Sequence, residues 1–194
     1  MNILNSVSSF FLDLIETFVI GLSIFLVVYL FLLQPHQVSG QSMEPTFQTS
    51  DYLLTDKVSY RVGTPKRGDV VVFHAPANAN CPSGTGCDYI KRIIGLPGES
   101  VVVKDNDGIY INGKKLPEPY IPKDYITLSN TYTANERVVT LNQNEYFVSG
   151  DNRMHSSDSR TWGPITQDEI VGRAFFRYWP LTKSHVVQGV NYSF

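Results

Sequence analysis

The chain has 194 residues, 42% of them hydrophobic, with 16 Lys and Arg against 18 Asp and Glu for a formal net charge of −2. That is room for one ordinary domain plus an anchor, and too apolar for intrinsic disorder. The lack of a basic surplus argues against a nucleic-acid partner, and two cysteines are too few for a four-ligand zinc site or a disulfide-dense scaffold.

The composition is uneven. Residues 17–33 read TFVIGLSIFLVVYLFLL, without a charge. As a helix this run spans about 25 Å, slightly under the roughly 30 Å of a bilayer's hydrocarbon. The apolar lead-in Phe10, Phe11, Leu12, Leu14 and Ile15 can lengthen it. We read residues 1–35 as a single membrane-anchor helix, with a buried core helix as the alternative. A cleaved secretory signal fits less well. The first Lys or Arg is Lys57, so no basic region precedes the run, and the run exceeds the usual apolar length of a signal. Val38-Ser39-Gly40 nonetheless has cleavage-site spacing. Without basic flanks, the positive-inside rule gives no orientation.

Residues 36–194 change character. Short apolar runs with period-2 features occur at 70–73, 89–94, 100–104, 108–111, 137–141, 146–149 and 170–179. Asn112-Gly113, following an alternating apolar run, is a hairpin signal. No later segment shows a long 3.6-residue apolar period. The expected fold is mainly β: one transmembrane helix, then an all-β domain of short antiparallel strands in a barrel or sandwich. Residues 105–145 read as a reduced, cap-like excursion. Phe175, Phe176, Tyr178 and Trp179 read mostly as core, with one or two free to reach a membrane interface.

Three segments carry chemistry. The first is Ser39-Gly40-Gln41-Ser42-Met43-Glu44-Pro45-Thr46. A nucleophilic serine needs a base, and His36, His74, His155 and His185 sit in no recognisable triad setting. The second is the strand around Lys91 and Arg92. Tyr89, Lys91 and Ile93 share one face and Ile90, Arg92 and Ile94 the other, so each face carries one cation among apolar neighbours. A desolvated lysine has a lowered pKa and can serve as a base near neutrality, whereas arginine stays protonated. An exposed edge-strand lysine is the alternative. The third is a polar, turn-rich loop, Ser149 through Pro164, in which Asp158 and Arg160 could pair to lock its shape.

Together these segments resemble type I signal peptidase. The boxes are Gly40-x-Ser42-Met43-x-Pro45-Thr46, Arg67-Gly68-Asp69-Val70-Val71, Tyr89-x-Lys91-Arg92-x-x-Gly95-x-Pro97-Gly98 and Gly150-Asp151-Asn152-Arg153-x-x-Ser156-x-Asp158-Ser159-Arg160. They occur in the family's order, directly after the anchor.

The resemblance implies a membrane-bound serine endopeptidase that removes signal peptides from exported preproteins after small residues at −3 and −1. It needs no metal or cofactor. By match, Ser42 is the nucleophile and Lys91 the general base. Ser156 orients the lysine, and Asp158 and Arg160 hold its loop. Met43, Pro45 and Ile93 fall near the substrate. Many members carry a serine two places before the nucleophile. Here that position is Gly40, so the oxyanion hole is expected from backbone N–H groups around Gly40 and Ser42. Met154 and His155 depart from the commonest pattern and receive no role.

A preprotein is cut where it emerges, so the β domain is expected on the exterior face of the cytoplasmic membrane. Its partners would be preproteins and the lipid bilayer. Cys81 and Cys87 agree, since a disulfide could staple their loop in an oxidising compartment. Two rivals remain open: a non-catalytic β module that binds extended peptides, and the Ser/His form of the superfamily, which would carry histidine where Lys91 stands.

Overall fold

The computed structural model describes residues 3–79, 81, 87–190 and 192. Helix α1 (Ile3–Val27) continues as a five-residue π-turn, Val28–Leu32. Ser8–Val27 has a mean hydropathy of 2.2 over its most apolar stretch, none of it buried against protein. At 1.5 Å per residue these residues extend about 30 Å, enough to cross a membrane. Their polar side chains turn back on the helix: Thr17 Oγ1 donates to Asp13 O at 2.8 Å and Ser23 Oγ to Val19 O at 2.7 Å. That suits an apolar surrounding, which offers no other partner.

Twelve strands follow among the described residues: β1 (Leu33–Gln37), β2 (Tyr52–Asp56), β3 (Val70–His74), β4 (Asp88–Gly95), β5 (Ser100–Lys104), β6 (Gly108–Ile111), β7 (Lys114–Lys115), β8 (Val139–Thr140), β9 (Glu145–Ser149), β10 (Ile165–Thr166), β11 (Ile170–Trp179) and β12 (His185–Val186). The larger sheet runs β1-β2-β11-β3-β4-β9-β10, with β12 on β11, and the smaller runs β7-β6-β5-β8. Every pairing in both sheets is antiparallel. The mainly β expectation therefore holds.

The apolar run leaves the helix sooner than its composition suggests. Helical structure stops at Leu32, because Leu33 through Gln37 pair in register with Asp56 back to Tyr52. Pairing overrides composition here, and Pro35 is tolerated because β1 is an end strand of the sheet. The run expected at 137–141 shrinks to Val139–Thr140, with Val138 exposed. The Asn112-Gly113 hairpin forms as expected. Its two turn residues have φ of 50° and 80°, the double left-handed pair that a tight hairpin needs.

Three apolar clusters hold the domain. Val71, Phe73, Ile93, Val148, Trp162 and Ile165 fill the middle of the larger sheet. Val38, Met43, Phe47, Leu53, Val70 and Ala174 pack beneath the β1–β2 connection. The third cluster joins the sheets: Ile94 of β4 and Phe147 of β9 pack with Val101, Val103, Ile109 and Ile111 of the smaller one. Cys81 and Cys87 form a disulfide with Cα atoms 5.9 Å apart, beside the start of β4. Of the C-terminal aromatics, Trp179 is the exposed one.

Candidate active site

Ser42 lies in the connection between β1 and β2. This loop is anchored from below, since Met43 and Phe47 are fully buried and Phe47 N donates to Met43 O at 2.9 Å. Thr46 Oγ1 donates to Asp151 Oδ2 at 2.6 Å, and Asn152 N donates to Ser42 O at 3.0 Å. The serine is thus fixed both by its own turn and by the loop after β9.

Lys91 reaches this serine from β4. The residue is 4% exposed, and its Nζ donates to Ser42 Oγ at 2.9 Å and to Ile90 O at 2.9 Å. Burial disfavours the ammonium and lowers its pKa to about 8, although Asp158 and Asp151 pull the other way. No hydrogen bond joins Ser42 to a histidine among the described residues.

Arg92, on the opposite face, is equally buried. Its guanidinium grips Asp151 with two bonds, Nε to Oδ1 at 2.8 Å and one terminal nitrogen to Oδ2 at 2.5 Å. It also donates to Gly68 O at 2.9 Å and stacks 4.1 Å from the Tyr120 ring. Both cations of this strand are buried. One is neutralised by a carboxylate, and the other faces a hydroxyl.

The loop after β9 is built around Asp158, which is fully buried. Its carboxylate accepts from Ser149 Oγ at 2.9 Å and Gly150 N at 3.0 Å, and from Arg160 Nε and a terminal nitrogen at 2.8 Å each. Burial alone would raise this carboxyl, but the Arg160 charge and these bonds hold it down at about 2. Arg153 donates to Gly150 O at 3.1 Å and pairs with Glu118. Arg160 donates to Leu128 O at 3.1 Å. The excursion between β7 and β8 thereby braces the loop from outside.

Ser156 stands close to this centre without bonding to the lysine. Its Oγ is buried and makes no well-aligned hydrogen bond among the described residues, although it stands close enough to Asp158 to help hold that carboxylate down. Gly150 lies between the two serines: a Cβ there would fall 2.3 Å from Ser156 Oγ and 2.4 Å from Ser42 O. Gly150→Ala is therefore expected to displace one of them. An activity loss of about 100-fold is the scale for a shift of roughly 1 Å, with overpacking costing about 1–3 kcal/mol of stability. Cleavage kinetics beside thermal unfolding will check it; near-normal kinetics would show that the close approach is dispensable.

A cleft of about 310 Å³ opens over Ser42 and Lys91. Its walls include Leu53, Val72 and Ile90, with His36 and Asp88 also on its lining. Gly40 lines it at φ 99°, and the Ser42 N–H donates no hydrogen bond among the described residues. The expected substrate contacts are placed differently. Met43 and Ile93 are fully buried in two core clusters, Pro45 is exposed, and none of the three is on the cleft lining. The reason is local: Met43 is the peg under the serine turn, while Ile93, where β4 runs alongside β9, packs with Val71, Phe73 and Trp162. Sequence reasoning missed the Arg92–Asp151 clamp, Thr46 and Asn152, although Asp151 and Asn152 stood within a recognised box.

Comparison with known proteins gives the family. The profile of the family described as "Signal peptidase, peptidase S26" matches residues 11–179. Signal peptidase IB of Staphylococcus aureus strain COL is 37% identical over 183 residues, 89% of this chain and 91% of the relative. A probable signal peptidase I-2 of Synechocystis sp. is 37% identical over 172 residues, 89% of this chain and 75% of the relative. The crystal structure of a signal peptidase I from Enterococcus faecalis V583 is 34% identical, covers 58% of this chain and 97% of its own, and superposes with a TM-score of 0.45. A profile over most of the chain and relatives matched nearly end to end show that the chain belongs to the signal peptidase family, peptidase S26, as a serine peptidase.

Proposed function

We propose that Ser42 and Lys91 are the nucleophile and general base of a peptidase that removes signal peptides from membrane-inserted preproteins. The observation that carries this reading is the 2.9 Å contact between a buried lysine and the serine hydroxyl. With its pKa at about 8, about one Lys91 in ten is neutral at pH 7. The neutral amine takes the Ser42 proton as Oγ attacks the scissile carbonyl. Backbone N–H groups around Gly40 and Ser42 hold the oxyanion. The Lys91 ammonium then protonates the leaving amine. Water, activated by the same lysine, releases the acyl group and regenerates Ser42. We assign Ser156, whose buried hydroxyl stands beside Gly150 and Asp158, to accepting a hydrogen bond from that ammonium. The Asp158–Arg160 pair keeps its loop in place.

The sheet suggests how substrate lies. β1 is an end strand, and β4 pairs with β9 only from Arg92 onward. These two strands bound the cleft. An extended preprotein segment fits between them by main-chain hydrogen bonding, and the apolar walls favour small side chains at −1 and −3. The apolar helix anchors the domain, with the cleft on the exterior face.

The test is cleavage of a detergent-solubilised preprotein bearing an Ala-x-Ala site. One cut after the second alanine is expected, at a rate that rises with pH through about 8 as Lys91 loses its proton. An inert protein at pH 9, or a rate flat from pH 7 to 9, would overturn the proposal.

A further inference from the structure

A second polar cluster sits along the same cleft, and the mechanism above does not use it. His36 of β1 and Asp88 of β4 both line the cleft. Their strands share no ladder, being separated in the sheet by β2, β11 and β3. Yet His36 Nε2 lies 3.4 Å from Asp88 Oδ2, so the pair connects the two walls that would flank a substrate. The cluster is built rather than incidental. His36 Nδ1 is 3.0 Å from Oγ1 of the fully buried Thr55, which fixes the ring. Asp88 Oδ1 is 2.7 Å from His74 Nδ1. Two imidazoles from two strands therefore orient one carboxylate.

Two features point to a ligand group. His36 Nε2 is buried and has no hydrogen bond among the described residues, its approach to Asp88 being poorly aligned for one. And Asp88 is the one carboxylate among the described residues of the cleft lining; with the imidazoles neutral, the cluster carries its single negative charge. Asp88 precedes Lys91 by three residues, about 10 Å along an extended strand. A substrate running parallel to β4 with its −1 residue abreast of Lys91 places its −4 residue abreast of Asp88.

We propose that Asp88, held between His36 and His74, is a specificity-determining residue that favours a cationic side chain at position −4 of the preprotein. The inference rests on the Ser42/Lys91 reading and deepens it by assigning charge selectivity to one end of the same cleft. Its energetics are modest, since the Asp88 side chain is 31% exposed and partly screened. A preference of about fivefold is the expected scale for such a pair.

The experiment uses the full chain in detergent and two preproteins that differ only by Lys or Glu at −4. A second pair differing at −7 controls for charge elsewhere. The readout is the kcat/KM ratio of the Lys to the Glu substrate at pH 8.5, above the range in which histidines ordinarily charge. Wild type is expected to favour Lys about fivefold at −4 and not at −7. In Asp88→Asn the ratio should fall to near one, and in Asp88→Lys it should invert. Because each ratio is taken within one variant, a general loss of activity cancels. Equal cleavage of both −4 substrates by wild type, or a preference that survives in Asp88→Asn, overturns the inference while leaving the dyad standing. Failure of wild type to cut any of the four substrates sinks both.

Discussion

Replacing Lys91 with methionine is expected to lower the cleavage rate by about 10²–10⁴-fold, the scale of a positioned general base, while making the protein more stable at pH 7. Methionine keeps the length and apolar volume of the side chain and removes the proton acceptor beside Ser42 Oγ. Ser42→Ala should lose at least as much activity. The double variant should be no worse than the poorer single one, because the two groups act as a unit. The stability gain follows from the same burial. Folding moves the lysine from an ordinary 10.5 to about 8, so the unfolded chain holds a proton that the folded chain lacks between those values. Stability of the wild type therefore rises with pH across that window, and below it the full penalty applies. For a shift of this size the penalty is on the order of 3 kcal/mol. Lys91→Met removes it at pH 7, and its advantage should shrink as pH rises from 8 towards 10.5. Thermal unfolding in detergent at pH 7 and pH 10, beside cleavage kinetics, checks both halves. A methionine variant that still cuts at full rate, or that is less stable at pH 7, contradicts the role drawn from the geometry.

That lysine was legible in the sequence for a physical reason. Alternation in residues 89–94 puts one cation on each face of a segment made otherwise of Ile and Tyr, and the structure buries both. The hairpin at Asn112-Gly113 was legible because its backbone demands those residues. What stayed hidden depended on pairing between distant segments. β1 looked like the tail of an apolar helix, because nothing local in residues 33–37 reveals that residues 52–56 will take their backbone bonds. The Arg92–Asp151 clamp joins residues 59 positions apart, which no local pattern encodes. The cleft walls were misplaced for a related reason. Neighbours of Ser42 and Lys91 in sequence were expected beside the substrate, but the turn that presents Ser42 drives Met43 into the core, and Ile93 packs into the core of the larger sheet. Residues from other strands, Leu53 and Val72, take those places instead.

Asp158→Asn is expected to lower stability by about 3–5 kcal/mol, the scale for leaving one half of a buried ion pair uncompensated. The change keeps shape and removes charge. Asp158 accepts from Ser149 Oγ, Gly150 N, Arg160 N and two guanidinium nitrogens of Arg160. An amide offers one acceptor oxygen, and its NH₂ must then face those donors. The Arg160 charge, itself 2% exposed, is left without its counter-ion. The pH dependence separates this cause from general damage. The folded carboxyl titrates near 2 against an ordinary 3.8, so its contribution is complete above about pH 5 and disappears as pH falls through 2. Wild type should lose that part of its stability on acidification, and the asparagine variant, having none to lose, should follow a flatter curve below pH 4. A compensating change, Arg160→Met added to Asp158→Asn, should recover part of the stability, because an apolar side chain in that space leaves no buried charge unpaired. Activity should not recover with it. Arg160 also holds Arg153 O and Leu128 O, and through them the loop that sets Ser156 and Gly150 against Ser42. Recovery of stability without recovery of cleavage would show that the pair acts on catalysis by fixing this loop; recovery of both would place its contribution in folding alone.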